Sequence, residues 1–223
     1  MSSNIFHIQA PKLPKQLSAE VIKTLENNSE YTSVTISGNN VAGQKAENVL
    51  FEQTRIRRVS FAETNIIQMR LFDSRIDDSD LSSAQWEKAR FHRVEFIGCR
   101  FLGIQLMEAE IEDILFRECI LENAIFVAAS IKSALFEQCN LQNISVESTK
   151  LTKTIFHKCD LTNARFIETK LSGVDLRGST INRLQIDPKE INGAIIDSSQ
   201  ALQVVGLLGV IINDFDNRSH SSF

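Results

Sequence analysis

The chain has 223 residues, a formal net charge of −4, 43% hydrophobic and 23% charged residues. That balance fits one folded domain with small appendages and excludes a wholly disordered chain. The mild acidity argues against a dedicated nucleic-acid binder, and no apolar run reaches membrane-spanning length. Met1-Ser2-Ser3-Asn4 leads into no long apolar stretch, so a secretory signal is not expected and a cytoplasmic location is.

Residues 1–16 carry Pro11 and Pro14 and read as an extended arm. Ser18 is placed to cap a short helix through Asn27, with Leu17, Val21, Ile22 and Leu25 as its apolar contacts. Residues 1–35 are therefore expected to form an arm and a capping helix over one end of the domain.

From Phe51 every fifth residue is apolar: Phe51, Ile56, Phe61, Ile66, Leu71, Ile76 and so on to Ile196, thirty positions without a slip. Ile36, Val41 and Ala46 continue the series upstream. Two positions before each centre the residue is mostly small, as at Thr54, Ser74, Ala84, Cys99, Ala124 and Ala164, with Val59, Met69 and Ile104 among the exceptions. On an α-helix five residues advance about 500°, so no stripe forms. On a strand an odd step puts successive centres on opposite faces. The chain must turn once per repeat, with the centre and the residue two before it both pointing inward. Cys99, Cys119, Cys139 and Cys159 are spaced by twenty, and so are Phe96, Phe116, Phe136 and Phe156. Twenty residues are four repeats, hence four sides per coil. About eight coils at a rise of roughly 4.8 Å are expected.

This pattern resembles the pentapeptide-repeat family, whose motif is a small residue, often Asn or Asp, then Leu or Phe, then two variable residues. Cys159-Asp160-Leu161-Thr162-Asn163 and Ala164-Arg165-Phe166 carry the match, and the resemblance spans residues 36–196. It implies an all-β solenoid, a right-handed quadrilateral β-helix over residues 36–197, closed by short N- and C-terminal capping helices.

Asp187-Pro188 begins a departure from the best repeats. Ser198 or Ser199 can cap a helix over 200–208, Gly209 suits its end, and Val210-Ile211-Ile212 reads as a short strand. Residues 198–212 form this terminal unit, and 213–223 read as a flexible polar tail. A helix apolar nearly all round must bury both faces. The segment is similar to the C-terminal ends of bacterial quinolone-resistance pentapeptide proteins, which dimerise there. The resemblance implies a homodimer through Leu202, Val205, Leu207, Leu208, Val210 and Ile211; the alternative is a strand folded back on its own chain.

The cysteine column does not converge as zinc ligands must, so small buried side chains are the expected reading and no metal or other cofactor is assigned. His7, His92, His157 and His220 share no motif, and no Ser-His-Asp set or phosphate loop is present. An enzyme is not expected. Arg55, Arg57, Arg58, Arg75, Arg90 and Arg93, with Arg70, crowd the first coils among Glu52, Asp73, Asp77, Asp78 and Glu95. Met107, Ile125 and Val127 form a small outward apolar patch. These are the candidate partner-binding residues. The expected function is a non-enzymatic protein-binding scaffold without direct contact to nucleic acid or membrane. The resemblance adds an alternative, a DNA mimic that binds the type II topoisomerases DNA gyrase or topoisomerase IV and protects against quinolones. Mixed charge on every side and an uninterrupted repeat depart from that pattern.

Overall fold

Alternation along each short extended segment turns the fifth-residue series inward, and the series is buried without exception from Phe51 to Ile181. The residues two positions earlier, such as Thr54, Ala84, Cys99 and Ala124, are buried beside them. A computed structural model describes residues 8–207 and 209–211 and shows a parallel β-solenoid of about eight turns. Phe96, Phe116, Phe136 and Phe156 are Cα partners on successive coils. Their rings stack at 5.1, 4.8 and 4.8 Å, so the side chains repeat at the spacing of the strands.

The four sides are not equivalent. The first side (centres Phe51, Leu71, Phe91) and the second (Ile56, Ile76, Phe96) share one ten-stranded sheet. Its central strands, Arg70–Asp77, Arg90–Ile97, Glu110–Arg117, Ser130–Glu137 and Lys150–His157, bend through the corner between the two sides. The fourth side carries an eight-stranded sheet from Lys45–Glu47 to Gln185–Ile186. The third side (Phe61, Leu81, Phe101) has only isolated bridges between coils. There Asn40, Asp80, Asn140 and Asp160 turn their side chains back onto the N–H two residues on, at 2.9, 3.0, 3.0 and 2.9 Å. These local bonds compete with a regular strand.

Each corner is made by one residue in the left-handed backbone region, two after each centre. The series runs from Asn28 to Gly193, and most of its members are not glycine. Only Pro188 breaks it, because the pyrrolidine ring locks φ near −65°. Glu190 N–H instead closes on Asp187 O at 2.8 Å. The departure at Asp187-Pro188 is thus one forbidden corner.

The two ends differ from expectation. No helix forms over 18–27. Ser18–Glu20 is a strand paired with Val34–Ser37, and Glu30–Thr32 pairs with Leu50–Glu52. Tyr31 stacks on Phe51 at 4.9 Å, so the coil conformation starts upstream of residue 36. Ile22 and Leu25 are buried, while Val21 is exposed. The spacing of Ile22 and Leu25 suits a helix, but a ten-residue helix is marginal and the first coil offers an unpaired edge. Asn39 Nδ2 donates to Ile22 O at 3.0 Å, and Gln44 Oε1 accepts from Leu25 N–H at 2.6 Å. These bonds satisfy backbone that a helix would have satisfied internally.

The described part of the arm, residues 8–16, does not cover the end either. It runs along the outside of the first–second corner: Lys12 N–H donates to Asp73 Oδ1 at 3.0 Å and Gln9 N–H to Asp113 Oδ1 at 3.5 Å.

At the C-terminus the helix is Ala201–Leu207. Its cap is Asp197, not Ser198 or Ser199. Asp197 Oδ1 accepts the Gln200 N–H at 3.2 Å, and Gln200 Oε1 accepts the Asp197 N–H at 3.0 Å, a capping box. Gln200 is buried, and its Nε2 donates to Leu176 O and Ser179 O, both at 2.7 Å. One side chain therefore closes carbonyls of the last coil and starts the helix. Val204 and Leu207 pack on the core. Val210 and Ile211 form no strand and are exposed. Leu208, Ile212 and the tail 213–223 lie outside the described residues.

Phe116→Ala should cost about 3–5 kcal/mol, read by urea unfolding. Phe116→Asp should abolish cooperative unfolding, because a charge has no partner in that column. Gln200→Ala should cost about 1–3 kcal/mol through the orphaned Ser179 carbonyl and the lost return bond to the Asp197 N–H, seen as a lower melting temperature.

Candidate protein-binding faces

The arginines named from the sequence come together at one end of the rod, on the first two sides. Most are matched by a carboxylate on the same or an adjacent coil. Arg75 bonds Asp77 at 2.8 Å and Glu95 at 3.2 Å. Arg57 lies 3.8 Å from Asp77, Arg90 3.2 Å from Glu110 and Arg70 3.8 Å from Glu30. Further along the rod Arg117 pairs with Glu137 at 2.6 Å. In-register stacking brings opposite charges twenty residues apart to strand spacing, as in Arg75 with Glu95 and Arg90 with Glu110, while the like-charged neighbours Arg55 and Arg75, and Arg70 and Arg90, also stand in register. Among the described residues Arg58 takes part in no ion pair. The Arg55 Nε is buried and makes no hydrogen bond.

Of the ion-paired arginines at this end Arg93 is the most enclosed. It forms a two-pronged bond to Asp73, Nε to Oδ1 at 2.6 Å and Nη2 to Oδ2 at 2.5 Å, and Nη1 lies 3.1 Å from His92 Nε2. Asp73 also receives the Lys12 N–H, so this pair anchors the arm. Arg93 holds the Asp73 carboxyl below the usual carboxylate range, and the Lys12 N–H adds to the effect against the opposing pull of burial. Arg93 is thus a fastening, a role that spacing alone did not show.

The apolar patch has a different setting. Met107 and Val127 are adjacent in register on the fourth side, followed by Glu147 and Ile167 on the same outward row. Ile125 stands on the neighbouring row. Met107 and Ile167 are 44% and 42% exposed, on a flat parallel sheet. Their spacing by twenty and forty residues was visible in the chain, but only the burial values show how open that side is.

The cysteine column is buried and unoxidised. Each thiol donates to a carbonyl of the coil below: Cys99 to Ile76 O, Cys119 to Phe96 O and Cys139 to Phe116 O, each at 3.4 Å, and Cys159 to Phe136 O at 3.3 Å. Ser74 and Ser179 make the same bond to Phe51 O and Phe156 O. A small side chain with one weak donor therefore suits this position. Burial, helped by the neighbouring thiols, pushes the Cys119 thiol up, which opposes metal ligation by the thiolate. Among the described residues no group of three or more His, Cys, Asp or Glu is placed to hold a metal ion. Among them no helix is long and apolar enough to cross a membrane.

The family model for the pentapeptide repeat region matches residues 89–166. The chain carries a pentapeptide-repeat region. The solenoid conformation extends that repeat well beyond the matched residues on both sides. No curated protein matches the chain in sequence. Among solved structures, trypsin-treated QnrB1, a plasmid-mediated fluoroquinolone resistance protein, is 17% identical over 83% of this chain and 100% of that one, with a TM-score of 0.39. HetL, a pentapeptide repeat protein involved in heterocyst differentiation regulation in the cyanobacterium Nostoc sp. strain PCC 7120, is 15% identical over 76% of this chain and 92% of that one, with a TM-score of 0.25.

The Asp73 carboxylate, more acidic in the folded chain than in the unfolded one, stabilises the fold above its unfolded value of about 3.9. That contribution is lost as pH falls through the lower, folded value. Asp73→Asn should cost about 1.5–3 kcal/mol at neutral pH and flatten the stability profile below about pH 4, measured by denaturant melts across pH.

Proposed function

We propose that this pentapeptide-repeat solenoid is a non-enzymatic scaffold that presents its fourth side to a protein partner. The observation that carries this reading is the unpartnered apolar surface of Met107, Val127, Ile125 and Ile167 on a flat sheet. The arginine-rich end is the weaker candidate, because most of its cations already face carboxylates of their own chain. The same pairing works against a DNA mimic directed at DNA gyrase or topoisomerase IV, which needs a continuous acidic face. Here carboxylates such as Asp77, Glu110 and Glu137 lie beside Arg75, Arg90 and Arg117.

The scaffold is also proposed to be a homodimer through its C-terminal unit. Leu202 is 66% and Ile211 91% exposed, while Val204 and Leu207 hold the other helical face against the last coil. An apolar helical face that leaves water is stabilised by roughly 25 cal/mol per Å2.

Affinity capture from lysate with the wild type and a Met107→Asp/Val127→Asp variant tests the partner face. A protein held by the wild type and lost from the variant is the expected result; identical eluates would refute it. Leu202→Asp should convert a dimer to a monomer in sedimentation equilibrium with melting of the coils unchanged. A stable dimer in that variant would refute the interface.

A further inference from the structure

One cation at the arginine-rich end has surroundings that the scaffold reading does not use. On the second side Thr35, Arg55, Arg75 and Glu95 stand in register on successive coils, in one outward row. Arg75 takes the carboxylates of this face, Asp77 at 2.8 Å and Glu95 at 3.2 Å, and Arg57 lies 3.8 Å from the same Asp77. At the adjoining corner Asp73 is held by Arg93 and by the Lys12 N–H. Among the described residues Arg55 takes part in no ion pair, and a like charge stands next to it at strand spacing. Its Nε is buried and makes no hydrogen bond. A buried donor on a charged group without an acceptor is unfavourable, and so is a stacked like charge. An anion against the guanidinium relieves both.

The arm builds a cleft around this group. Just before the strand Ser18–Glu20, the arm residues Leu13, Pro14, Lys15 and Leu17 join Thr35 and Arg55 in lining a cavity of about 270 Å3. No carboxylate among the described residues lines it. Arg55 and Lys15 supply positive charge, and the Thr35 hydroxyl supplies a further donor. Leu13, Pro14 and Leu17 are half-buried and give the cleft an apolar wall. A planar guanidinium fits a carboxylate through two parallel N–H···O bonds, and an ammonium adds a point charge. An apolar cavity of about 150 Å3 holds a benzene ring, so the cleft has room for a carboxylate with a short hydrocarbon group beside it. A bare phosphate would meet the cations and leave the apolar wall in water.

We propose that this cleft binds a small organic anion, a carboxylate carrying a short apolar group. Arg55 holds the carboxylate, Thr35 and Lys15 add polar contacts, and the hydrocarbon lies against Leu13, Pro14 and Leu17. Such a ligand touches the arm and the coils together, so binding fastens one to the other. The cleft is on the second side, opposite the fourth, and does not depend on the partner face proposed there.

Titration of the 15N-labelled full chain with isovalerate, a branched short-chain carboxylate, followed by two-dimensional NMR, tests this. Saturable shifts of the Lys15, Thr35 and Arg55 amides are expected, with isovalerate slowing tryptic cleavage after Lys15. Arg55→Gln should weaken binding at least about tenfold, the loss expected for a charge-assisted hydrogen bond, while Arg58→Gln should leave it unchanged. Should Arg55→Gln fold poorly, Lys15→Gln on the exposed arm should still weaken binding roughly threefold, as loss of an exposed charge contact does. No saturable shift at those amides, or equal affinity in both Gln variants and the wild type, would overturn the proposal. Equal binding of isovaleramide would remove the role of the charge, and equal binding of inorganic phosphate would remove that of the apolar wall; either overturns it.

Discussion

At each corner of the rod, the residue two after the inward side chain holds φ between 46° and 61° where it is not glycine. An L-residue there costs roughly 1–2 kcal/mol relative to a right-handed conformation. The cost recurs every five residues, yet the fold persists. What offsets it is the backbone ladder between coils. Arg90 N–H meets Met69 O and Glu110 N–H meets Ala89 O, both at 2.8 Å, and the same pattern continues along the chain. Those bonds form only if every coil has the same length, and equal length requires a turn at every fifth residue. The corner and the ladder depend on each other, and side-chain stacking depends on both.

Stacking explains both the core and the surface. Inside, identical residues meet, so Phe96, Phe116, Phe136 and Phe156 form one column of parallel rings. A buried column of one residue type is stable when that type packs on itself, as flat rings do. Outside, many charged residues meet an opposite charge at strand spacing, although Arg55 stands beside Arg75 and Arg70 beside Arg90. The ion pairs of Arg75 with Glu95, Arg90 with Glu110 and Arg117 with Glu137 are the result. A charged surface built this way is largely neutralised by itself. Apolar outward rows such as Met107 and Val127 have no such internal partner, and the proposed partner face lies there.

The ends of the solenoid follow different solutions to one problem, the unpaired edge of a coil. At the start the chain lays extra strands, Ser18–Glu20 and Glu30–Thr32, against the first coils, then runs its arm down a corner. At the finish Pro188 interrupts the corner series, which resumes only at Gly193, and the Gln200 amide bonds the Leu176 and Ser179 carbonyls of the last coil.

The repeat of five, the four-sided coil and the buried column were all legible from the spacing of Phe, Leu, Ile and Cys, because a strictly local rule repeats without interruption. The outward apolar residues Met107, Ile125 and Val127 were legible for the same reason. Ile22 and Leu25 misled, since their spacing suits a helix as well as an irregular coil edge. The Asp197 cap was hidden behind two better-placed serines, and the roles of Arg93 and Asp73 were not visible at all. Each of these depends on what lies across a coil boundary, which spacing does not encode. By itself, then, the sequence determined the solenoid and its register through the alternation of inward and outward residues. Only the tertiary structure decided where the arm lies and which arginines are already paired. Those outcomes rest on contacts between segments whose separation follows no period.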